Sequence, residues 1–221
     1  MWLFEDNHLL TLNKPAGLLS QADITGDPDL VTLARAYLKK KYNKPGNVYI
    51  GLVHRLDRPA SGAMVLARTS KAARRLSQAF RDRRVTKEYI VVVEGLIEGS
   101  GIMEDYLHKE AGRAHVVQDE RSGKYSSLRW RALNSDGVFS SVRVELITGR
   151  AHQVRCQFAA RGFPVLGDVR YGARHRLDGR TIALHCCRLT FEHPVARVPV
   201  EVNAAFPESW SAKLLNLIET D

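Results

Sequence analysis

Residues 51–62 read G-L-V-H-R-L-D-R-P-A-S-G. Behind this stretch lies an apolar run, Val48-Tyr49-Ile50 and Leu52-Val53; ahead lies another, Ala63-Met64-Val65-Leu66-Ala67. Their β-branched, aromatic and aliphatic content predicts two buried strands. Between them stand His54, Arg55, Asp57 and Arg58, then Pro59 and a Ser-Gly pair that read as a turn. A core cannot take that much unpaired charge, so the segment is expected to be a loop whose ends are fixed by buried strands. Such a loop suits a catalytic group, and it also suits a surface hairpin with incidental charges. The spacing alone leaves both open.

The rest of the chain sets bounds. At 221 residues, it is long enough for one sizeable core, and the expectation is a single domain over 1–221. Hydrophobic content of 44% and charged content of 26% are those of an ordinary soluble globular protein. No apolar run approaches the roughly 18–20 residues that span a bilayer. The start, M-W-L-F-E-D-N-H, carries acids where a signal peptide carries a basic leader. A cytoplasmic protein without membrane contact is expected. The three cysteines, Cys156, Cys186 and Cys187, form neither a disulfide framework nor a C-x-x-C metal spacing and read as buried thiols.

A formal charge of +9 points to a polyanionic partner, nucleic acid before membrane. The excess is concentrated: Arg68 to Lys87 holds eight basic residues and one acid, Asp82. Solvated helix faces usually alternate sign, and this one does not. Lys71, Arg74, Arg75, Arg83 and Arg84 are therefore candidate phosphate contacts.

In chain order, Leu9–Leu12 predicts a strand broken by Asn13-Lys14-Pro15-Ala16-Gly17, with Lys14 expected at the surface. Leu30, Leu33, Ala34, Tyr37 and Leu38 fall at helical spacing before Lys39-Lys40-Lys41. Thr69 or Ser70 can cap a second helix with Ala72, Ala73, Leu76, Ala79 and Phe80 on its apolar face. Lys87–Glu94 is a strong strand. Gly95–Gly112 reads as irregular; its Glu104, Asp105, His108 and Glu110 have no recognised ligand spacing, so no metal is expected. His115–Val117, Lys124–Leu133 and Val138–Leu146 read as successive strands. Thr148 can cap a helix starting just after it, with Val154 and Phe158 on one face. Val198–Val202 reads as a last strand and Trp210–Ile218 as a terminal helix.

H-R-L-D-R-P-A-S-G at 54–62 resembles the H-R-L-D-x-x-[TS]-S-G signature of the RluA-type family of RNA pseudouridine synthases. Ala60 stands where that family often has threonine, which leaves the charged residues untouched. K-P-A-G-L-L-S at 14–20, K-E-Y at 87–89, L-I-T-G-R-A-H-Q-V-R at 146–155, the G-F-P-V-L-G-D segment at 162–168 and the closing L-H and L-T-F-E-H-P segments are also similar to family motifs, in order. The middle strand, with Ser126, Leu128 and Trp130, matches loosely.

The resemblance implies an α+β fold, with a mixed, largely antiparallel central sheet flanked by helices and a central active-site cleft. It implies a short form without the N-terminal RNA-binding module, since the first motif begins at Lys14. It implies isomerisation of a uridine within RNA, with Asp57 as catalytic residue, Tyr89 against the target base and Arg155 as ionic partner of the aspartate. Arg55 would help flip the nucleotide, and Leu184 would wall the base. His54 and Arg150 would join the basic helix on the phosphates.

The chemistry asks for the same kinds of group. A carboxylate must be ionised near the ribose or base, and a detached uracil must be held. A base inside a stem must be flipped out. No redox change or group transfer occurs, so no cofactor is expected; the partner is a structured RNA, a transfer RNA or ribosomal RNA hairpin, and the protein is expected to be a monomer. A non-catalytic RNA-binding or ribosome-assembly protein would explain the charge, but not Asp57, Tyr89 and Arg155 together. A nuclease or serine hydrolase would need further carboxylates or a nucleophile elbow.

Overall fold

The computed structural model describes residues 1–177 and 181–218. In chain order the strands are β1 (Trp2–Glu5), β2 (Leu9–Lys14), β3 (Gly51–Leu52), β4 (Ser61–Ala67), β5 (Thr86–Glu94), β6 (Ser100–Glu110), β7 (Arg113–Val117), β8 (Lys124–Ser135), β9 (Phe139–Leu146), β10 (Leu184–Glu192) and β11 (Pro199–Asn203). The helices are α1 (Leu30–Lys41), α2 (Ser70–Arg81), α3 (Gln153–Ala160) and α4 (Ala212–Asn216). The class is α+β, with a largely antiparallel sheet and few helices, as the sequence suggests. Two compact units form: residues 1–85 with 188–205, and residues 86–187 with the chain from Phe206 on.

In the first unit, β4 is buried along its whole length, with α2 packed against it. On one side β2 runs antiparallel to it, from Leu9 opposite Ala67 to Lys14 opposite Gly62; on the other lies β3, with Gly51 opposite Ala67. Such two-sided burial explains why β4 reads S-G-A-M-V-L-A without alternation. The β3 ladder is shorter than the apolar run predicts. Val48–Ile50 lies outside any strand, and Ile50 is buried without ladder pairing. At Gly51 a Cβ would stand 2.8 Å from the Ala73 Cβ, so glycine is what allows α2 to pass this close. The Thr69 hydroxyl caps α2 by accepting from the Ala72 N–H at 3.2 Å, and Ala72, Leu76 and Ala79 turn inward. Asp29 caps α1 in the same way.

In the second unit the strands lie in the order β5-β9-β8-β6-β7, each neighbouring pair antiparallel. Ile90, Val92, Leu166, Ala183, Trp210 and Leu214 make its main core cluster. Three expectations are corrected here. The segment read as irregular contains an eleven-residue strand, β6. Only Met103 and Leu107 are buried in it, so it lacks the alternation that marks a half-buried strand and owes its form to pairing with β7 and β8. The terminal helix is only Ala212–Asn216. Finally, α3 begins at Gln153, not just after Thr148, and the residue before it, His152, is left-handed at φ 57° with no side-chain cap.

Candidate active site

The charged loop after β3 is held at both sides of Asp57. The Ser20 hydroxyl donates to the Leu56 carbonyl at 2.8 Å, and the Gly17 N–H donates to the Arg58 carbonyl at 2.8 Å. Arg58 returns the bond from Nε to the Gly17 carbonyl at 3.0 Å, and its Nη2 meets the Asp27 carboxylate at 2.6 Å. The K-P-A-G-L-L-S segment is thus the seat of the loop. Asp57 is half-buried, its carbonyl accepts from the Ala60 N–H at 3.1 Å, and Arg55 is exposed.

Lys14 is not at the surface. It is fully buried, at 0% exposure. Its ammonium donates to the carbonyls of Pro15 at 2.9 Å, Leu18 at 2.9 Å and Arg58 at 3.4 Å. An ammonium has three donors and no acceptor, so three carbonyls match it. Burial pushes its pKa down from 10.5 to about 7; the charge of Asp57 pulls upward and that of Arg58 adds to the fall.

His54, expected among the RNA contacts, turns inward. Its Nε2 accepts from the Val65 N–H at 3.0 Å, and its ring stacks on Phe80 with centroids 4.5 Å apart. A nitrogen accepting from a backbone N–H carries no proton, so this bond keeps the imidazole neutral.

On α2 and just beyond, Lys71, Arg74, Arg83 and Arg84 are exposed. Arg75 is half-buried and donates to the Pro194 carbonyl at 2.7 Å. Arg75, Arg84, Glu192 and Arg197 border a cavity of about 220 Å³. Arg84 is paired with Asp82 at 3.0 Å and Arg197 with Glu192 at 2.6 Å, so the wall is less positive than its arginines suggest.

In the second unit, Tyr89 is buried on β5 opposite Val144, and Leu184 is buried at the head of β10. Arg155 is buried on α3. Its Nε and Nη2 donate to the two oxygens of Asp168 at 2.6 and 2.9 Å, a bidentate pair. The Tyr171 ring lies 4.9 Å from its guanidinium carbon. The Tyr171 hydroxyl accepts from the Ala114 N–H at 2.7 Å and meets His152 Nδ1 at 2.9 Å. Gly167 shapes the turn that presents Asp168: its φ is +89°, and a Cβ there would stand 2.6 Å from the Thr181 carbonyl. Arg150 is exposed and donates from Nε to the Tyr125 carbonyl at 3.0 Å.

Gln153 explains the tight L-I-T-G-R-A-H-Q-V-R motif locally. Its side-chain oxygen accepts from the Arg150 N–H at 3.0 Å and from the Thr148 hydroxyl at 2.8 Å, while its amide donates to the Ser127 carbonyl at 3.0 Å. The turn ahead of α3 is therefore folded around glutamine.

A family model described as RNA pseudouridylate synthase matches residues 8–160. The chain belongs to this family. Relatives extend the likeness over the whole length. The ribosomal large subunit pseudouridine synthase D of Yersinia pestis is 31% identical, over 99% of this chain and 70% of that protein. Human RNA pseudouridylate synthase domain containing 1 is 25% identical with a TM-score of 0.70, covering 96% of this chain and 85% of that one. Human RNA pseudouridylate synthase domain containing 4 shares the fold, with a TM-score of 0.80 at 22% identity, covering 98% and 92%.

As an RNA pseudouridylate synthase, the chain is an isomerase acting on RNA. Asp57, Arg55 and His54 share one loop of the first unit of this synthase; Tyr89, Arg155 and Leu184 belong to its second. Residue-by-residue reading passed over Lys14, Gln153, Asp168 and Tyr171. For Lys14 a signal existed: it closes an apolar strand, followed at once by proline and two small residues. Asp168 and Tyr171 stand in the G-D-V-R-Y-G run, where turn residues hide a carboxylate that faces inward.

Proposed function

We propose that this synthase converts chosen uridines of a structured RNA to pseudouridine, with Asp57 as the carboxylate that acts on the reacting nucleotide. The observation that carries the reading is the loop itself: a half-buried Asp57 whose neighbours on both sides are pinned through Leu56 and Arg58. Fixed backbone on either side removes the entropy cost of aiming the carboxylate.

The reaction is an isomerisation. The N1–C1′ bond of the uridine breaks, a C5–C1′ bond forms, N1 gains a proton and C5 loses one. Asp57 acts as nucleophile or general base in that sequence. Tyr89 and Leu184 retain the detached uracil, and Arg155 serves as ionic partner of the aspartate. Arg55, exposed on the same loop, assists extrusion of the nucleotide from its stack. Lys71, Arg74, Arg83, Arg84 and Arg150 meet phosphates. His54 and Arg75 support the fold beneath: His54 Nε2 accepts from the Val65 N–H, and Arg75 donates to the Pro194 carbonyl.

The substrate we favour is ribosomal RNA of the large subunit, a reading supported by the name of the Yersinia pestis relative, a ribosomal large subunit pseudouridine synthase. The test follows from the chemistry. RNA carrying tritium at uridine C5 releases it to water when C5 becomes bonded to C1′, without strand cleavage. Release from ribosomal RNA fragments by the native protein is the expected result. Release from transfer RNA alone would move the substrate, and cleavage without release would overturn the reading.

A further inference from the structure

The cavity bordered by Arg75, Arg84, Glu192 and Arg197 has no part in the reaction scheme above. It lies wholly within the first unit, between the C-terminal half of α2 and the turn that joins β10 to β11. Leu76, Ala79 and Pro194, all buried, give it an apolar lining, while Arg84, Glu192 and Arg197 are exposed around it. At about 220 Å³ it is smaller than the roughly 300–1,000 Å³ of sites for drug-sized ligands, so it suits a fragment such as one nucleotide.

Both walls are fixed by backbone bonds. In the β10–β11 turn the Val195 and Ala196 N–H groups donate to His193 Nδ1 at 3.1 and 2.8 Å, and His193 Nε2 meets Asp6 at 2.8 Å. At the end of α2 the Arg84 N–H donates to the Ala79 carbonyl at 2.9 Å. Each turn holds a left-handed arginine, Arg197 at φ 60° and Arg83 at φ 59°. Glycine takes that conformation freely, so both turns carry arginine against a backbone preference. Nor do the charges cancel. Arg84 meets Asp82 at 3.0 Å and Arg197 meets Glu192 at 2.6 Å, exposed pairs that bind weakly and exchange partners readily. Arg75 is half-buried and aimed by the neutral carbonyl of Pro194 at 2.7 Å, and it meets no carboxylate among the described residues.

We propose that this cavity seats one unpaired nucleotide of the RNA, other than the reacting uridine: Arg75, Arg84 and Arg197 take its phosphate, and its base lies on Leu76, Ala79 and Pro194. This rests on the reading of a structured RNA as substrate. Guanidiniums bind phosphate oxygens through paired donors and stack on flat rings. A base inside a stem is covered on both faces, so only one splayed from a loop, bulge or end can enter. Phe80, one residue beyond Ala79, stacks on His54 of the charged loop, so one turn of α2 serves both the seat and the loop of Asp57.

Arg197→Gly removes a guanidinium and suits the left-handed backbone, so its denaturation midpoint is expected to equal or exceed the native one. Filter binding compares it with the native protein on two probes, an RNA hairpin with a loop of unpaired uridines and a duplex of the same stem. The hairpin Kd is expected to rise about tenfold and the duplex Kd by less than about twofold, as loss of a charge-assisted contact confined to unpaired RNA requires. Equal losses on both probes make Arg197 a general phosphate contact and overturn the seat; native affinity for the hairpin overturns it as well. Arg197→Asn, which also tolerates a left-handed backbone, takes the place of Arg197→Gly should the latter fail to fold. With 4-thiouridine in the loop, ultraviolet crosslinks are expected on the peptides that carry Leu76–Ala79 or Pro194; crosslinks found only on other peptides overturn the place given to the base. Tritium release by the native protein is measured alongside. Its absence defeats the proposed reaction, whereas the binding comparison alone decides the seat.

Discussion

At the scale of single residues, the molecule separates groups that act from groups that hold. Asp57 is half-buried on a loop whose backbone is tied through Leu56 and Arg58, so changing its carboxylate to an amide of the same size leaves those two ties in place. Asp57→Asn should keep the native fold and an RNA Kd within about twofold, and lower turnover by at least about a thousandfold, as loss of a nucleophile or base does. Circular dichroism, RNA binding and tritium release check the three parts. Asp168 is the opposite case. It is 2% exposed and accepts from Nε and Nη2 of the buried Arg155, so Asp168→Asn removes the charge that this bidentate pair was built on. The expected cost is about 3–5 kcal/mol in a denaturant titration, and a smaller cost than about 1 kcal/mol would contradict the pairing. The loop around Asp57 was legible because four ionisable residues between apolar runs cannot be core, whereas the role given to Asp57 came from the resemblance. Lys14 was misread because a lone lysine ordinarily lies at the surface, and only the carbonyls of Pro15, Leu18 and Arg58, set by the turn, make an interior place for it. His54 read as polar for the same reason, yet one backbone N–H and one aromatic ring account for it.

At the scale of elements, α2 carries two kinds of arginine on one helix. Its apolar face was plain in the sequence, and so was a cap at Thr69 or Ser70; Thr69 makes it, and Ala72, Leu76 and Ala79 are the positions buried. What the pattern could not tell was which basic residues face water. Arg75 is anchored to Pro194, whereas Lys71 and Arg74 are exposed. Lys71→Glu with Arg74→Glu should therefore weaken binding to many RNAs, while the modified uridine stays the same. Filter binding over a salt series checks it: log K against log salt should lose about 0.7–0.9 of slope for each phosphate contact removed. An unchanged slope would take α2 out of the interface. Strands were legible where burial patterned them, as at β5 with its run of buried Tyr89–Glu94. They were not where pairing alone defines them. In β6 one face is mostly exposed, and on the other Met103 and Leu107 are buried on either side of Asp105, which answers Arg161 at 2.9 Å and Gln157 at 2.6 Å. Such a strand looks like a loop to any test of hydrophobic period.

At the scale of the whole molecule, the order of the chain and the order of its units disagree. The first unit is made from residues 1–85 and 188–205, with all of the second unit's long segment between them. Its early and late parts meet directly: Asp6 faces His193 at 2.8 Å, Asn13 donates to the Ala205 carbonyl at 2.7 Å, and Arg75 donates to that of Pro194 at 2.7 Å. A ribosome delivers the N-terminal part first and must synthesise Thr86–Cys187 before those partners exist. Until then β2, β4 and α2 wait with apolar surface uncovered, a state prone to proteolysis and misassembly. Pulse proteolysis of nascent chains stalled after Cys187 should still cut within residues 1–85, whereas the released full-length protein should resist; equal resistance in both would mean that the N-terminal part stands alone. Contacts this remote in sequence also slow folding, although the entropy of closing the intervening chain grows only with the logarithm of its length. Residues 1–85, which carry Asp57, thus leave the ribosome ahead of the second unit's long segment but reach their finished surroundings only once residues 188–205 have followed it.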